Sequence, residues 1–201
     1  MSDPSTPSAS MPVAPLDTCV LVPSDQRDFL LQVAAEGGFR PVWSTGTLSE
    51  LDIVIARLRA RQGREDQPEG RRRLLDSMVR AFPGATIEAA REHSYYYDLK
   101  DPDDGHVAHA AITAGASLLV TDDRRAGFKT SSALQSAGVT ILFTPDFAAQ
   151  VIRANPELGA QALEVMSLRQ LRPPRSSAEI LDLLVDKYGM AEVGEILKPF
   201  V

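Results

Sequence analysis

The chain has 201 residues, enough to bury one sizeable core and leave room for a small appended unit. It is 44% hydrophobic and 24% charged, as expected of a soluble globular protein, and no apolar run approaches the roughly 20 residues a membrane-spanning helix needs. A net charge of −6 argues against a surface built throughout to hold a polyanion, so binding to nucleic acid requires a local basic patch or a bound cation.

The first residues are rich in Ser and Pro and lack both a basic segment and an apolar stretch, so 1–11 reads as a disordered tail and not as a secretory signal. Apolar, strand-like runs then alternate with helix-like stretches, which predicts an α/β domain over 12–147 with a parallel sheet of about five strands covered by helices. The predicted strands are 13–21, 40–43, 85–88, 117–121 and 140–143. The predicted helices are 28–36, ended by Gly37-Gly38, then 48–62, 74–81, and 103–114, ended by Gly115. Beyond Pro145 the strand formers thin out. Residues 148–201 therefore read as a helical C-terminal extension, broken at Asn155-Pro156 and at Arg172-Pro173-Pro174-Arg175. Its last part opens with Ser176-Ser177-Ala178-Glu179, a capping-box spacing. Cys19 is the only cysteine, which excludes an intrachain disulfide framework and a cysteine-rich zinc site and fits a reducing cytoplasm.

Ligands of open parallel sheets collect at the carboxyl ends of the strands, so acids just after strands are the first candidates. Asp17 lies in an otherwise apolar run, Leu16-Asp17-Thr18-Cys19-Val20-Leu21, where a buried carboxylate needs a partner. Asp122 and Asp123 follow the run Leu118-Leu119-Val120-Thr121 directly. Asp104 opens the helix that leads into that same strand, which brings Asp104 and Asp123 to one end of the sheet. Each acid also has a plainer reading. Asp101 and Pro102 look like a helix cap and first position, with Asp103 and Asp104 complementing the helix dipole. Glu50 fits a capping box as Thr47-Leu48-Ser49-Glu50, and Asp122 and Asp123 fit a turn.

Taken in order, several segments resemble PIN domains, and more narrowly the VapC-type ribonuclease toxins of bacterial toxin–antitoxin pairs. These are Leu16-Asp17-Thr18-Cys19, Trp43-Ser44 with Leu48-Ser49-Glu50-Leu51, Asp101-Pro102-Asp103-Asp104 through Ala110-Ala111, and Leu119-Val120-Thr121-Asp122-Asp123. The resemblance implies a three-layer α/β/α domain whose acidic pocket binds Mg²⁺ or Mn²⁺ and cleaves single-stranded or loop RNA. In that pattern Asp17, Asp104 and Asp123 are the metal-binding acids, and Glu50 completes the catalytic set. Asp103 rivals Asp104 in register, and Asp122 rivals Asp123. Many relatives carry Asn where Cys19 stands, and Pro12 and Pro15 lie where a central strand is expected. The helical extension matches an added region of one VapC subgroup. The resemblance further implies a cognate antitoxin that covers the groove, and homodimers are common within it.

Oxygen ligands suit Mg²⁺ or Mn²⁺, and such an ion activates water and offsets charge on a leaving oxygen. Candidate RNA contacts are Arg57, Arg59 and Arg61, the run Arg71-Arg72-Arg73, and Tyr95-Tyr96-Tyr97, each equally readable as a solvated face or a core edge. His106 reads as structural or as a phosphate contact. The competing functions are a non-catalytic PIN-like module that binds RNA or protein, and a phosphatase with Asp17 as nucleophile. Against the second, Cys19 stands where a second Asp is expected.

Overall fold

The computed structural model describes residues 11–170 and 172–201; the tail expected over 1–11 lies, but for Met11, outside the described residues. In chain order the elements are β1 (Val13–Pro15), α1 (Thr18–Leu21), α2 (Ser24–Ala35), β2 (Arg40–Ser44), α3 (Thr45–Arg61), α4 (Pro68–Ala81) and β3 (Thr86–Ile87). A 3-10 turn (Pro102–Asp104) then leads into α5 (Gly105–Thr113), β4 (Leu118–Val120), α6 (Ser132–Ser136) and β5 (Thr140–Leu142). The helices α7 (Thr144–Ala154), α8 (Pro156–Arg169), α9 (Ser177–Tyr188) and α10 (Ala191–Leu197) complete the chain.

The class is α/β with parallel strands, as the alternation predicts, but the single five-stranded sheet needs correcting. The strands form one ladder in the order β1-β2-β3 and a second of β4 and β5. The two meet at one bridge, between Leu16 and Val120, where the Asp17 N–H donates to the Val120 carbonyl at 3.0 Å. Proline explains the single bridge. The Leu16 N–H donates to Val42 of β2 and the Asp17 N–H to Val120. Pro15 shares the side of Asp17 and has no N–H, so it adds no second bond toward β4, while β1 pairs with β2 over Val13 to Pro15. The predicted strand 13–21 also ends early, because Asp17 caps a single helical turn that takes up Thr18–Leu21.

Helices cover both faces. Successive residues of β4 point to opposite sides, so Leu118 and Val120 enter the larger core while Leu119 enters a smaller one with Val107, Ala108 and Ala111 of α5. The larger core runs without a break into the C-terminal helices: Ile152, Leu163, Ile180, Leu184, Val193 and Leu197 are packed in the same cluster as Phe29 and Val33 of α2. The extension is thus packed against the α/β domain, and α7 runs across the expected boundary at 147/148. No helix of the described residues is long and apolar enough to cross a membrane.

Candidate active site

The site is built around Asp17, which leaves β1 at the seam between the two ladders. Its side chain is 4% exposed and fully engaged. Oδ1 accepts the Thr18 N–H at 2.6 Å, in an N-cap geometry, while Oδ2 accepts the Thr121 hydroxyl at 2.6 Å and the Cys19 thiol at 3.2 Å. Burial raises the Asp17 carboxyl above the ordinary aspartate value; these three donors oppose that rise and the neighbouring Glu50 adds to it. The Thr18 hydroxyl donates to Glu50 Oε2 at 2.7 Å, so one hydrogen-bonded chain runs from Thr121 through Asp17 and Thr18 to Glu50.

Glu50 has none of its capping role. Helix α3 starts at Thr45, three residues before the expected start, with Ser44 as its cap accepting the Thr47 N–H at 2.7 Å. That places Glu50 in the second turn of the helix, with its carboxylate turned to α1. The early start rests on Gly46, since a Cβ there would stand 2.8 Å from the His106 ring and 2.9 Å from the Ala89 carbonyl oxygen.

The two pairs of rival acids differ in what each side chain touches. Asp101 caps the 3-10 turn by accepting the Asp103 N–H, and Asp103 is exposed and paired with Arg91 at 3.3 Å. Asp104 makes no cap bond and is half-buried. Its carboxyl is pushed up to about 8, first by burial and then by the charges of Asp17, Asp101, Glu50 and Asp123. Asp104 therefore lies within electrostatic reach of the other three expected acids. At the end of β4, Asp122 accepts both the N–H and the hydroxyl of Thr144 and so ties β4 to α7. Asp123 is held differently: its N–H donates to the Thr121 hydroxyl at 3.0 Å, and its Oδ1 accepts the Arg125 and Ala126 N–H groups.

Among the described residues, no three His, Cys, Asp or Glu side chains are grouped closely enough to hold a metal ion. The carboxylates converge in charge without forming a closed shell, because protein donors hold Asp17, Glu50 and Asp123 separately. In donor chemistry the set still fits a hard divalent cation. All the candidate ligands are carboxylate oxygens with lone pairs to spare, and a cation would relieve the repulsion that raises Asp104. Softer ligands are absent from the set: burial pushes the Cys19 thiol up, and it serves as a hydrogen-bond donor to Asp17.

His106 is corrected as a phosphate contact. It is fully buried, its Nδ1 bonds the Ser44 hydroxyl at 2.7 Å, and burial lowers its pKa. The expected arginine contacts are partly committed elsewhere, since Arg71 is salt-bridged to Asp52 and Asp66 and Arg59 donates to the Glu65 carbonyl. Tyr95 and Tyr97 pack on His109, and only Tyr96, at 93% exposed, is free to stack a base. Sequence reasoning missed the Thr18 hydroxyl as the tether of Glu50. It also missed Lys100 and Arg124, basic residues directly beside the acidic segments Asp101 to Asp104 and Asp122-Asp123.

Residues 16–125, more than half of the chain, match the family model described as PIN domain. No curated protein and no solved structure matches the chain.

Proposed function

The chain belongs to the PIN-domain family, and from that premise we propose that it is a divalent-metal-dependent endoribonuclease. PIN domains are commonly nucleases and typically use divalent metals, which makes RNA hydrolysis the first reading of any such domain with its acids in place. The observation that carries it here is the hydrogen-bonded chain Thr121–Asp17–Thr18–Glu50 at the ladder seam, with Asp104 and Asp123 close enough to act on one another's charge.

In this reading Asp17, Asp104 and Asp123 hold Mg²⁺ or Mn²⁺, directly or through water. A bound ion of this kind lowers the pKa of a coordinated water and offsets charge on the departing oxygen. Thr121 and the Thr18 N–H fix the Asp17 carboxylate, so its orientation is set before substrate arrives. Glu50 accepts a proton from the attacking water, and the Thr18 hydroxyl holds its carboxylate in place for that transfer. Protonated Asp104 is a poor ligand, so to hold a cation its carboxyl would have to give up its proton.

The narrower role, toxin of a toxin–antitoxin pair in the cytoplasm, rests on the resemblance of residues 13–147 to VapC-type toxins and on the helical extension. A cognate antitoxin would then cover the acidic groove with a basic side chain. A second reading, a non-catalytic RNA- or protein-binding PIN module, draws support from the lack of a closed ligand group among the described acids.

The test is incubation of the purified protein with total RNA, with and without Mg²⁺ or Mn²⁺, followed by mapping of the cut ends. Metal-dependent cuts that disappear in Asp104→Asn support the nuclease. Intact RNA under every metal condition leaves the binding module. Co-purification of a small protein encoded beside the chain would support the toxin role.

A further inference from the structure

Asp123 also lines a groove of about 280 Å³ that belongs to none of the hydrogen bonds described above, and its other walls include Lys100, Arg124, Lys129 and Phe143. Two cations share one aromatic ring here: Arg124 Cζ lies 4.5 Å and Lys129 Nζ 4.3 Å from the Phe143 centroid. Each contact is attractive alone, but two like charges on one ring repel, and an anion within reach of both relieves that repulsion.

Lys100 is held at the same groove by backbone. Its N–H donates to the Ala126 carbonyl at 2.9 Å, and the Asp101 N–H donates to the same oxygen at 3.2 Å. Gly127 permits this approach, since its φ is +87° and a Cβ there would stand 2.8 Å from the Lys100 nitrogen. Among the described residues none of Lys100, Arg124 and Lys129 is in an ion pair, whereas Arg71, Arg72 and Arg91 each face a carboxylate. In a chain of net charge −6, three cations without carboxylate partners beside a catalytic acid are a local reversal of the field.

We propose that this groove binds a backbone phosphate of single-stranded RNA next to the one being cut, an inference that rests on the nuclease reading of Asp123 and its neighbours. The ligand is a phosphodiester and not a base, because the groups left unpaired in the groove are cations, which answer a phosphate's charge. The contact is therefore sequence-tolerant and salt-dependent, and Phe143 acts as a positioning residue that holds Arg124 and Lys129 together.

The experiment is fluorescence anisotropy of a labelled oligouridylate on the full chain in EDTA, so that nothing is cleaved, over a series of salt concentrations. Arg124→Gln with Lys129→Gln is expected to weaken binding about tenfold and to lower the salt slope by about 0.7, the share of one phosphate contact on a single strand. Phe143→Leu is expected to weaken it about two- to fivefold with the slope kept. The charge-conserving pair Arg124→Lys with Lys129→Arg should keep the slope, which separates lost charge from a lost fold. Arg40→Gln with Lys198→Gln, the same change of charge at the start of β2 and near the C-terminus, should alter neither.

Unchanged affinity and slope in the groove pair overturn the proposal. So does an equal loss in the Arg40 and Lys198 pair, or no salt-dependent binding by the wild-type protein. Cleavage in Mg²⁺ separates the two ideas. Groove-dependent binding of RNA that stays uncut removes the nuclease reading and leaves the groove, while metal-dependent cutting with groove-independent binding removes the groove alone.

Discussion

The seam between the two ladders and the helical C-terminal region share one core, yet they are held by opposite means. At the seam, order comes from polar groups: Asp17 is buried against Thr18, Thr121 and Cys19, and burial, then the other acids around it, push the Asp104 carboxyl up to about 8. In the extension, order comes from apolar burial and helix ends. Leu184 and Val193 are fully buried, and α9 starts on a complete capping box from Ser176 and Glu179 and stops at Gly189 in a left-handed conformation. Burial of apolar area stabilises directly, whereas a cluster of carboxylates costs stability that only function explains. The first region should therefore control activity and the second stability, and substitutions can separate the two.

The largest effect expected is on cleavage. Asp17→Asn or Asp104→Asn should lower metal-dependent RNA cleavage by about 10³-fold or more, the scale of losing an electrostatic contact made in the transition state, while circular dichroism shows a folded protein. Retained cleavage in either variant breaks the assignment. Next, Leu184→Ala should cost about 2–5 kcal/mol in denaturant unfolding, with cleavage per folded molecule unchanged below the transition. A loss of activity out of proportion to unfolding would show that the extension serves the site.

Smaller effects sharpen the contrast. Thr18→Val removes the tether of Glu50 and should lower kcat about tenfold with little change in Tm, since it breaks one hydrogen bond at the edge of the core. Ser176→Ala should do the reverse, lowering stability by about 1 kcal/mol through the lost cap and leaving cleavage alone.

The pH dependence of stability has a definite sign. Asp104 titrates near 8 in the folded protein and near 3.8 in the unfolded chain, so its contribution is present in full below about pH 4 and is lost as pH rises through 8. Without divalent metal, Tm should fall across that window. Asp104→Asn should flatten the fall and raise Tm near pH 8, by about 2–4 °C for each kcal/mol of repulsion relieved. Added Mg²⁺ should raise Tm there for the wild-type protein more than for the variant, and calorimetry over pH 4 to 8 measures both.

Much of this architecture is legible along the chain. The alternation of apolar runs indicates the α/β class, and a lone Asp in an apolar run demands a buried partner. Asp101-Pro102 marks the start of a 3-10 turn, and Ser176 with Glu179 forms the cap its spacing predicts. Signals of that kind act within a few residues of one another, through side chains bonding nearby backbone or through the repeat of a helix or strand, and so they can be read from local sequence.

The partners of each acid required the tertiary structure. Asp17 meets Thr121 across 104 residues, Glu50 meets Thr18 across 32, and Asp122 turns away because Thr144 takes its carboxylate. Asp103 pairs with Arg91 from another segment, and the split of the sheet depends on β1 meeting β4 at a single bridge. None of these neighbours lies within a turn of helix or a step of strand. Sequence by itself marked the four acids as candidates and indicated the α/β class; packing of distant segments decided what each acid touches, and that Lys100, Arg124 and Lys129 line a groove with Asp123.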